Sequence, residues 1–527
     1  MIITCLMLTS CVSSERGDEL RVFRYNQANQ ITSLDPAFAR SQTNIWTVDH
    51  LYDGLVTLDK DMKLAAAIAH TWKVSDDGLD YTFYLRGDVL YHEDDCWKGD
   101  PRTVVAEDFV YSYERILSPD VNSPGSWIFS DKVDRDSAFT AINDSTFRVR
   151  LQRPFLPFLG ILSMEYCSVV PREAVEYYGE SFRSNAVGTG PFRLKRWVEN
   201  QAMFLLPHDH YFATDDPEWP YLDGVKISFI ADRKTAYLEF LRDELDLLTG
   251  IESSYVNELL TKNGELHPLR QDQMILSSSP FLNTEYIGIN LEAVQGNSPL
   301  QYQQVRQAMN YAIDRVAMIR ALRNGIGAPA ISGFIPRGLP SYDEEASPGY
   351  HYDQEMARKL LSEATERYGP LGRIDLHVNK DYLDIATYLV KAWESVGLDC
   401  NIQLDESSLL REGMRRGDID LFRASWIADY PDGENFLTVF YGGNPAPPNY
   451  TRYSDDRFDA LYEMSLGEVD EEARRNLYRQ MNNIIIEEAP VIFLFYDETA
   501  VFYSKRVSGL ELNASKLLKL HHVRIHD

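Results

Sequence analysis

The sequence is poor in cysteine, with five among 527 residues, at positions 5, 11, 96, 167 and 400. So few cysteines cannot form a disulfide-stapled scaffold. No two of them stand in a C-x-x-C pair, which argues against the common zinc and redox motifs. The sequence also contains no run near the ~20 continuous apolar residues of a transmembrane helix.

Basic residues are scarce relative to acidic ones, because 52 Lys and Arg face 80 Asp and Glu, for a formal net charge of -28. Binding to a nucleic-acid backbone requires clustered Lys and Arg. Attraction to anionic lipid likewise requires a polybasic surface. The charge balance therefore argues against nucleic acid or a charged membrane surface as the partner of this protein.

Several motifs of enzyme chemistry are missing. The chain has no GxxxxGK[ST] phosphate loop, no HExxH zinc helix and no GxSxG nucleophile elbow. Gly325-Ile326-Gly327 lacks the third glycine of a dinucleotide loop. The acidic and histidine clusters at 92–95 and 208–210 lack metal-site spacing and are interpreted as polar loops. We predict no cofactor and no metal.

The sequence does contain enough apolar residues for extensive cores, with 44% hydrophobic and 12% aromatic content. Single cores stop growing near ~250–300 residues, so we expect two to four domains. Strand-like and helix-like patterns alternate along the chain, which predicts an α/β (mixed α+β) fold. Strands are expected at 20–25, 81–86, 146–151, 286–290, 374–378, 400–404, 418–422 and 491–496; helices at 109–117, 305–316, 383–396 and 473–485.

Gly188-Thr189-Gly190-Pro191 interrupts the pattern and is predicted to cross between lobes. A second segment, 423–432, follows the strand expected at 418–422. Ligands in open α/β sheets bind beyond the carboxyl ends of strands. Arg423 and Asp429 could therefore capture a carboxylate and an ammonium there, with Trp426 as an apolar wall. The alternative is a turn-capping Asp and a core Trp.

The N-terminus has the pattern of a bacterial lipobox, with Leu8-Thr9-Ser10 before Cys11. Acyl chains on Cys11 would hold a soluble body at the outer face of a membrane. The polar residues that follow, up to Gly17, would form a tether. The alternative is an accidental small-small-Cys sequence, since no Lys or Arg precedes Cys11 as a signal peptide would require.

Several short segments, taken together in order and spacing, carry a resemblance to a known family. The chain resembles the extracytoplasmic solute-binding proteins of oligopeptide and dipeptide ABC importers, most closely the oligopeptide-binding lipoproteins. The matching segments are Ser33-Leu34-Asp35-Pro36, His50–Leu55, Ala69–Trp72, Asp77-Gly78, Tyr81–Arg86, Glu107–Ser112, Gly188–Phe192, Val305–Arg315 and Trp426–Pro431.

This resemblance implies a two-lobed periplasmic-binding-protein fold with two interlobe crossings, which closes on its ligand like a hinged clamp. It also implies an extra domain in the N-terminal lobe. Residues 1–17 would be the lipoprotein signal remnant and tether. Domain I would comprise 18–58, 185–276 and 490–527, domain II 59–184, and domain III 277–489.

The family binds peptides as an added extended strand, so main-chain hydrogen bonds give affinity. By resemblance, Asp429 takes the peptide α-ammonium and Arg423 meets the carboxylate of a short peptide. Ala424 and Ser425 lie where backbone groups pair with the ligand, and Trp426 lines a side-chain pocket. The opposing lobe would contribute Arg40, Ser41 and Gln42, with Arg40 standing where some relatives carry an acidic residue.

The predicted function is therefore capture of short peptides outside the cytoplasm and delivery to an ABC permease and its ATPase subunits. The protein would be a monomer, lipid-anchored in the periplasm or at the outer face of the cell membrane, and not an enzyme. Three alternatives remain open: a related binder of murein peptides, haem or a nickel chelate; a peptide hydrolase; and an adhesin or sensor that kept the fold.

Overall fold

The computed structural model describes residues 20–134, 137–214, 216–250, 255–296 and 298–526. Cys11 and the predicted tether lie outside the described residues. The strands are β1 Val22–Asn26, β2 Val56–Leu58, β3 Leu64–Ala66, β4 Ala69–Val74, β5 Asp80–Leu85, β6 Phe139–Asn143, β7 Thr146–Arg150, β8 Phe192–Val198, β9 Ala202–Pro207, β10 Gly224–Ser228, β11 Leu247–Thr249, β12 Met274–Ile289, β13 Ala328–Pro329, β14 Ile374–Val378, β15 Cys400–Leu404, β16 Leu421–Ile427, β17 Val491–Ser504, β18 Val507–Ser508, β19 Glu511–Leu512, β20 Leu518–Lys519 and β21 Arg524–Ile525.

Helices are interspersed with these strands along the chain, as the alternating patterns predict. They are α1 Gln42–Leu51, α2 Ala106–Leu117, α3 Phe158–Ile161, α4 Arg172–Tyr178, α5 Arg233–Leu241, α6 Val256–Leu259, α7 Gln303–Tyr311, α8 Arg315–Leu322, α9 Gln354–Tyr368, α10 Leu383–Glu394, α11 Ser407–Arg416, α12 Glu434–Leu437, α13 Asp456–Gly467 and α14 Glu471–Glu488.

One large mixed sheet of eleven strands runs through the molecule. Its order is β15-β14-β16-β12-β17-β11-β1-β10-β9-β8, with β13 beside β17. The strands β14, β15 and β16 are parallel to each other, so their carboxyl ends lie at the same edge. Separate apolar cores cover the two ends of the sheet, one built around Phe23 and Tyr25 and another around Ile287 and Trp393.

The two long central strands, β12 and β17, connect the two halves of this sheet. They pair antiparallel from Met274 with Ser504 to Gly288 with Val491, and their register shifts between Pro280 and Thr284. Strand β12 lies on one side of β17 from Val491 to Ser504. On the other side, the last part of β17 pairs with β11. Because both strands run from one half to the other, the halves are joined by two crossings with an irregular pairing in the middle.

A four-stranded antiparallel sheet, β4-β5-β7-β6, forms a separate layer covered by helix α2. Its core is rich in aromatic rings: Phe109, Tyr113, Phe129 and Phe147 are fully buried. The rings of Tyr113 and Phe129 lie 4.8 Å apart, and those of Phe109 and Phe147 lie 5.6 Å apart. Such rings bury a large apolar area each, so this layer has a core of its own.

The prediction of a single helix over 305–316 is wrong. Helix α7 ends at Tyr311, and α8 begins at Arg315 after Asp314, whose carboxylate accepts a hydrogen bond from the backbone N of Ala317. A capping carboxylate satisfies N–H groups that start a new helix, which ends the old one. Val316 is consequently 64% exposed rather than on the shared apolar face.

The prediction that 188–191 crosses between lobes is also wrong, because this segment packs within the N-terminal half. A Cβ on Gly188 would lie 2.0 Å from the carbonyl oxygen of Leu51, so only glycine permits the contact. His92 and His208, interpreted from sequence as polar-loop residues, are buried here with their rings 4.9 Å apart. A ring nitrogen of each hydrogen-bonds the Gly190 carbonyl oxygen.

Among the described residues, no helix is long and apolar enough to cross a bilayer. The same residues contain no group of three or more His, Cys, Asp or Glu side chains placed to hold a metal ion. The three cysteines within the described ranges are all free thiols.

Candidate functional site

Strand β16 delivers most of the residues that the sequence singled out. The predicted strand over 418–422 begins late, since β16 runs from Leu421 to Ile427. Arg423 and Trp426 therefore lie within the strand rather than after its end. Asp429 lies beyond the end of the strand, as expected from the sequence. Strand β12 pairs with β16 along its whole length, from Ile289 opposite Leu421 to Asn283 opposite Ile427.

One edge of β16 is open to an added strand. On one side it pairs with β12 along its whole length. On the other side β14 reaches it only at His377 with Phe422, because β14 ends at Val378. Past Phe422, no described strand pairs with that side of β16, so its backbone N–H and C=O groups are available to an extended ligand.

Asn435 fixes the two residues at the end of this strand. Its side-chain oxygen accepts hydrogen bonds from the indole Nε1 of Trp426 and from the backbone N of Asp429, both at 3.1 Å. Asn435 itself is 2% exposed. A buried amide with two donors on one oxygen therefore sets the position of the Asp429 backbone relative to the Trp426 ring.

The Asp429 carboxylate has no ion-pair partner among the residues that the structure describes. Its residue is exposed by surface area, yet enough protein surrounds the carboxyl group to displace part of its water. This dehydration raises the pKa of Asp429, and hydrogen bonding with the Asn435 side chain opposes the rise. A partly dehydrated carboxylate without a counter-charge is suited to binding a cation.

Arg423, by contrast, is already paired. Its guanidinium donates to Oε2 of Glu285 through Nε at 3.1 Å and Nη2 at 2.5 Å. It also lies over the ring of Tyr382, 3.3 Å from the centroid, and donates to the Tyr382 hydroxyl. The Glu285 and Arg423 side chains are 7% and 14% exposed, so the pair lies inside the protein surface.

Ala424 and Ser425 differ in their surroundings. Ala424 is 7% exposed and packs in the core beside Phe422, so it can offer only backbone groups to a ligand. Ser425 is half-buried, on the same face of the strand as Arg423, and stands opposite Glu285 in the β12 pairing.

The opposite wall contains Arg40, Ser41 and Gln42, which are all exposed and line a groove of about 980 Å³. Ser41 is the N-cap of α1, where its hydroxyl oxygen accepts from the backbone N of Asn44 at 3.3 Å. Residues 26–30 and 498–501 line the same groove. The three N-terminal residues thus lie together on the surface of one groove, and their contact with a ligand stays a prediction.

The hydroxyl of Tyr166 lies within electrostatic range of charges on both walls. Burial raises the pKa of its hydroxyl, Arg40 lowers it, and Asp429 raises it, so both charges lie within electrostatic range of one phenol. Directly after Asp429, Tyr430 packs into the aromatic core of the four-stranded layer, with its ring 6.5 Å from that of Phe155. The space between the walls is therefore bordered by both halves of the large sheet and by the separate layer.

Sequence reasoning missed Glu285, Tyr382, Asn435 and Lys516. Glu285 is far from Arg423 along the chain, and only the antiparallel pairing of β12 with β16 brings them together. Asn435 lies in a polar turn that carries no pattern of its own. Of these residues, only Glu285 could have been found from the sequence. It is an acidic residue next to a buried-strand pattern, and a charge at such a position needs a partner.

The chain is similar to known proteins along most of its length. The model of the bacterial extracellular solute-binding proteins, family 5 (middle), matches residues 63–448. Heme-binding protein A of Haemophilus influenzae is 29% identical over 482 residues, covering 87% of this chain and 84% of that protein. Dipeptide-binding protein DppE of Bacillus subtilis is 27% identical over 514 residues, covering 93% and 89%.

The solved structure of HbpA2 from Haemophilus parasuis superposes with a TM-score of 0.85 at 23% identity, over 96% of this chain and 100% of that one. The predicted mixed α/β, two-lobed binding-protein fold is thereby confirmed. The family match covers well over half of the sequence. The chain belongs to the bacterial extracellular solute-binding proteins of family 5.

Proposed function

We propose that this protein binds short peptides between its two lobes and delivers them to an ABC importer. The observation that carries the proposal is Asp429, a carboxylate without a described basic partner, placed where β16 ends. A peptide α-ammonium would supply the missing counter-charge. Because an ammonium removed from water requires such compensation, Asp429 is the expected anchor of the ligand's amino end.

The open edge of β16 supports the peptide class specifically. An extended peptide added beside residues 423–427 would pair with the backbone N–H and C=O groups on the open edge of β16 that β14 does not reach. Such pairing is independent of the ligand's side chains. Trp426, half-buried at the end of the strand, would form a wall for one of those side chains.

The two lobes would close around this peptide by bending at the β12 and β17 crossings. The domain limits implied by resemblance stay part of the proposal: 18–58, 185–276 and 490–527 for domain I, 59–184 for domain II and 277–489 for domain III. Arg40, Ser41 and Gln42 would approach the ligand from domain I. The register shift between Pro280 and Thr284 supports bending there, because irregular pairing weakens the ladder locally.

The cellular setting is also proposed. Cys11 would carry the lipid anchor, with the body as a monomer outside the cytoplasm, next to a permease with two ATPase subunits. The protein would release its peptide unchanged, as a binder and not a hydrolase. The name of DppE, a dipeptide-binding protein similar along 93% of this chain, supports the peptide class.

Calorimetry with di- to pentapeptides tests the proposal. Asp429→Ala and Asp429→Asn are expected to weaken binding at least about tenfold, since a charge-assisted contact of roughly 1.5–3 kcal/mol is lost. Asp399→Ala is the matched control, because Asp399 is an exposed carboxylate just before β15, at the opposite edge of the sheet. Unchanged affinity in both Asp429 variants would refute the proposal.

The pH dependence provides a second measurement. Binding an ammonium requires ionised Asp429, whose pKa is raised by dehydration above its ordinary value. Affinity should therefore be full at neutral pH and fall as the pH drops through that raised pKa. Asp429→Asn should remove this acid limb of the profile, while Asp399→Ala should keep it.

A further inference from the structure

The groove on the N-terminal wall is more basic than the rest of this acidic protein. Among the described residues, Arg40, Arg233 and Lys516 line it, against one carboxylate, Glu498. The chain as a whole carries a net charge of -28. Within the described ranges, none of these three cations forms an ion pair with a carboxylate, although most of the other arginines do.

Glu498 forms no ion pair with these cations. Its Oε2 accepts from the hydroxyl of Ser278 and from the backbone N of Gly327, both at 3.3 Å. The carboxylate is thus held against β12 and the turn before β13. Among the groove-lining residues that the structure describes, no carboxylate forms an ion pair with these cations.

Lys516 is presented by a specifically built turn. Its backbone adopts the left-handed region at φ 60°, which few non-glycine residues do. The Asn513 side chain accepts from the backbone N of Ser515 and of Leu517, both at 3.1 Å. The indole Nε1 of Trp46, also in the groove, donates to the Lys516 carbonyl oxygen at 2.5 Å. The turn is therefore fixed by three hydrogen bonds with two side chains.

The ammonium of Lys516 lies at the interlobe crossing. Its Nζ is 3.4 Å from the centroid of the Phe281 ring, on the irregular part of β12. Burial lowers the pKa of this amine, with a smaller opposing effect of Asp497 and a lowering effect of Arg323. An ammonium short of both water and counter-charge gains most from an anionic ligand group.

Because Arg423 is already paired, a different cation of the protein is better placed to bind the carboxylate of the ligand. The carboxylate of a peptide held at Asp429 would find the Arg423 guanidinium occupied by Glu285 and Tyr382. Removing that guanidinium from a 7% exposed carboxylate would leave a buried charge uncompensated. A carboxylate on the ligand is more readily neutralised by a cation that is still unpaired.

We infer that Lys516 and Arg40 form an anion subsite on the N-terminal lobe, which binds a carboxylate of the peptide whose ammonium Asp429 holds. The inference rests on the proposed function and narrows its ligand class to peptides with a carboxylate within reach, from the chain terminus or an acidic side chain. Arg233 adds positive potential at the rim. Two groove atoms that lack described partners, Oε1 of the 5% exposed Gln27 and the Thr499 hydroxyl, are available to the same ligand's polar groups.

Calorimetry with a matched peptide set tests this subsite. The peptides are Ala-Glu-Ala, Ala-Gln-Ala, the C-terminal amide of each, and Ala-Lys-Ala amide. Wild-type protein should bind Ala-Gln-Ala amide roughly 10- to 100-fold more weakly than Ala-Glu-Ala, since the amide peptide lacks both carboxylates. Ala-Lys-Ala amide should bind no better. The two intermediate peptides identify which carboxylate is the source.

Variants assign the effect to the proposed residues. Lys516→Gln combined with Arg40→Gln should bind Ala-Glu-Ala and Ala-Gln-Ala amide within about threefold of each other, whereas wild type separates them. Lys505→Gln, at an exposed lysine after β17, should behave as wild type. An unchanged melting temperature confirms that each variant is folded.

The outcomes separate the two proposals. If wild type binds all five peptides equally and Asp429→Ala still weakens binding at least about tenfold, the anion subsite is overturned and the proposed function stands. If the double variant keeps the wild-type preference, the residue assignment is overturned. If no peptide binds to wild type, both the proposed function and the subsite are overturned.

Discussion

A single buried amide, Asn435, organises the ammonium end of the site. It holds the backbone of Asp429 and the ring of Trp426 with one oxygen, so the carboxylate can be fixed without a basic neighbour. This arrangement differs from the Arg423 and Glu285 pair, where two opposite charges satisfy each other. The site therefore contains one carboxylate without an ion-pair partner among the described residues, Asp429, and one that is paired with an arginine, Glu285.

Asn435→Ala tests this positioning role. Loss of both hydrogen bonds should weaken peptide binding about tenfold and cost roughly 1–3 kcal/mol of unfolding free energy. The acid limb of the binding profile should also move to higher pH, because hydrogen bonding with Asn435 lowers the pKa of Asp429. Calorimetry across a pH series measures both effects.

Asn482→Ala is the matched control for that variant. Asn482 is 3% exposed and its amide bonds the backbone of Phe334 and Ser332, each at 2.8 Å, away from Asp429. It should lose comparable stability while leaving the pH profile in place. A shifted profile in Asn482→Ala, or an unshifted one in Asn435→Ala, would contradict the positioning role.

At the scale of elements, the turn from β16 into α12 joins the two lobes. Glu434, the first residue of α12, is 2% exposed and accepts hydrogen bonds from the hydroxyls of Tyr430 and Tyr462. Tyr430 packs in the core of the four-stranded layer, and Tyr462 belongs to α13. One carboxyl group thus connects the turn after Asp429 to both sides of the cleft.

Glu434→Gln tests the pH behaviour of this element. Burial raises the pKa of Glu434 from 4.5 to about 7, so the folded state holds a proton that the unfolded chain releases near its ordinary pKa. Wild-type stability contributed by this group should therefore fall as pH rises from about 4.5 to 7.

The glutamine variant has no such proton to lose. The difference in unfolding free energy between Glu434→Gln and wild type should shift in favour of the variant by about 1–3 kcal/mol between pH 5 and 7.5. Chemical denaturation at several pH values measures it. A difference that is constant with pH would show that Glu434 does not titrate in this range.

Element prediction from sequence succeeded where the pattern was local. The alternating segments became β1, β5, β7, β14 and β15, and the amphipathic pattern beginning at Phe109 became α2. It failed at Asp314 and at the start of β16. A cap and a strand end both depend on hydrogen bonds to groups that a hydrophobic pattern does not describe.

At the scale of the whole molecule, the two crossings of β12 and β17 are the only strand connections between the halves of the large sheet among the described strands. Ligand bound to both walls should favour the closed arrangement, because it contacts both lobes only there.

Small-angle scattering tests closure. Addition of a peptide that binds in calorimetry should reduce the radius of gyration of wild type and not that of Asp429→Ala. At a ligand concentration of 100 times Kd, unfolding free energy should rise by about 2.7 kcal/mol, seen as a higher melting temperature. A bound wild-type protein with an unchanged radius would contradict the clamp.

The sequence by itself determined the layered α/β fold and pointed to Asp429 and Trp426, because strand and helix periodicity and a short ordered series of motifs are local properties of the chain. Tertiary structure alone decided which charges remain available. Arg423 and Glu285 are 138 positions apart, and Arg40 and Lys516 lie near opposite ends of the chain. Electrostatic pairing depends on distance in space, and only the sheet pairing and the folding of the C-terminal segment back onto the first lobe set those distances.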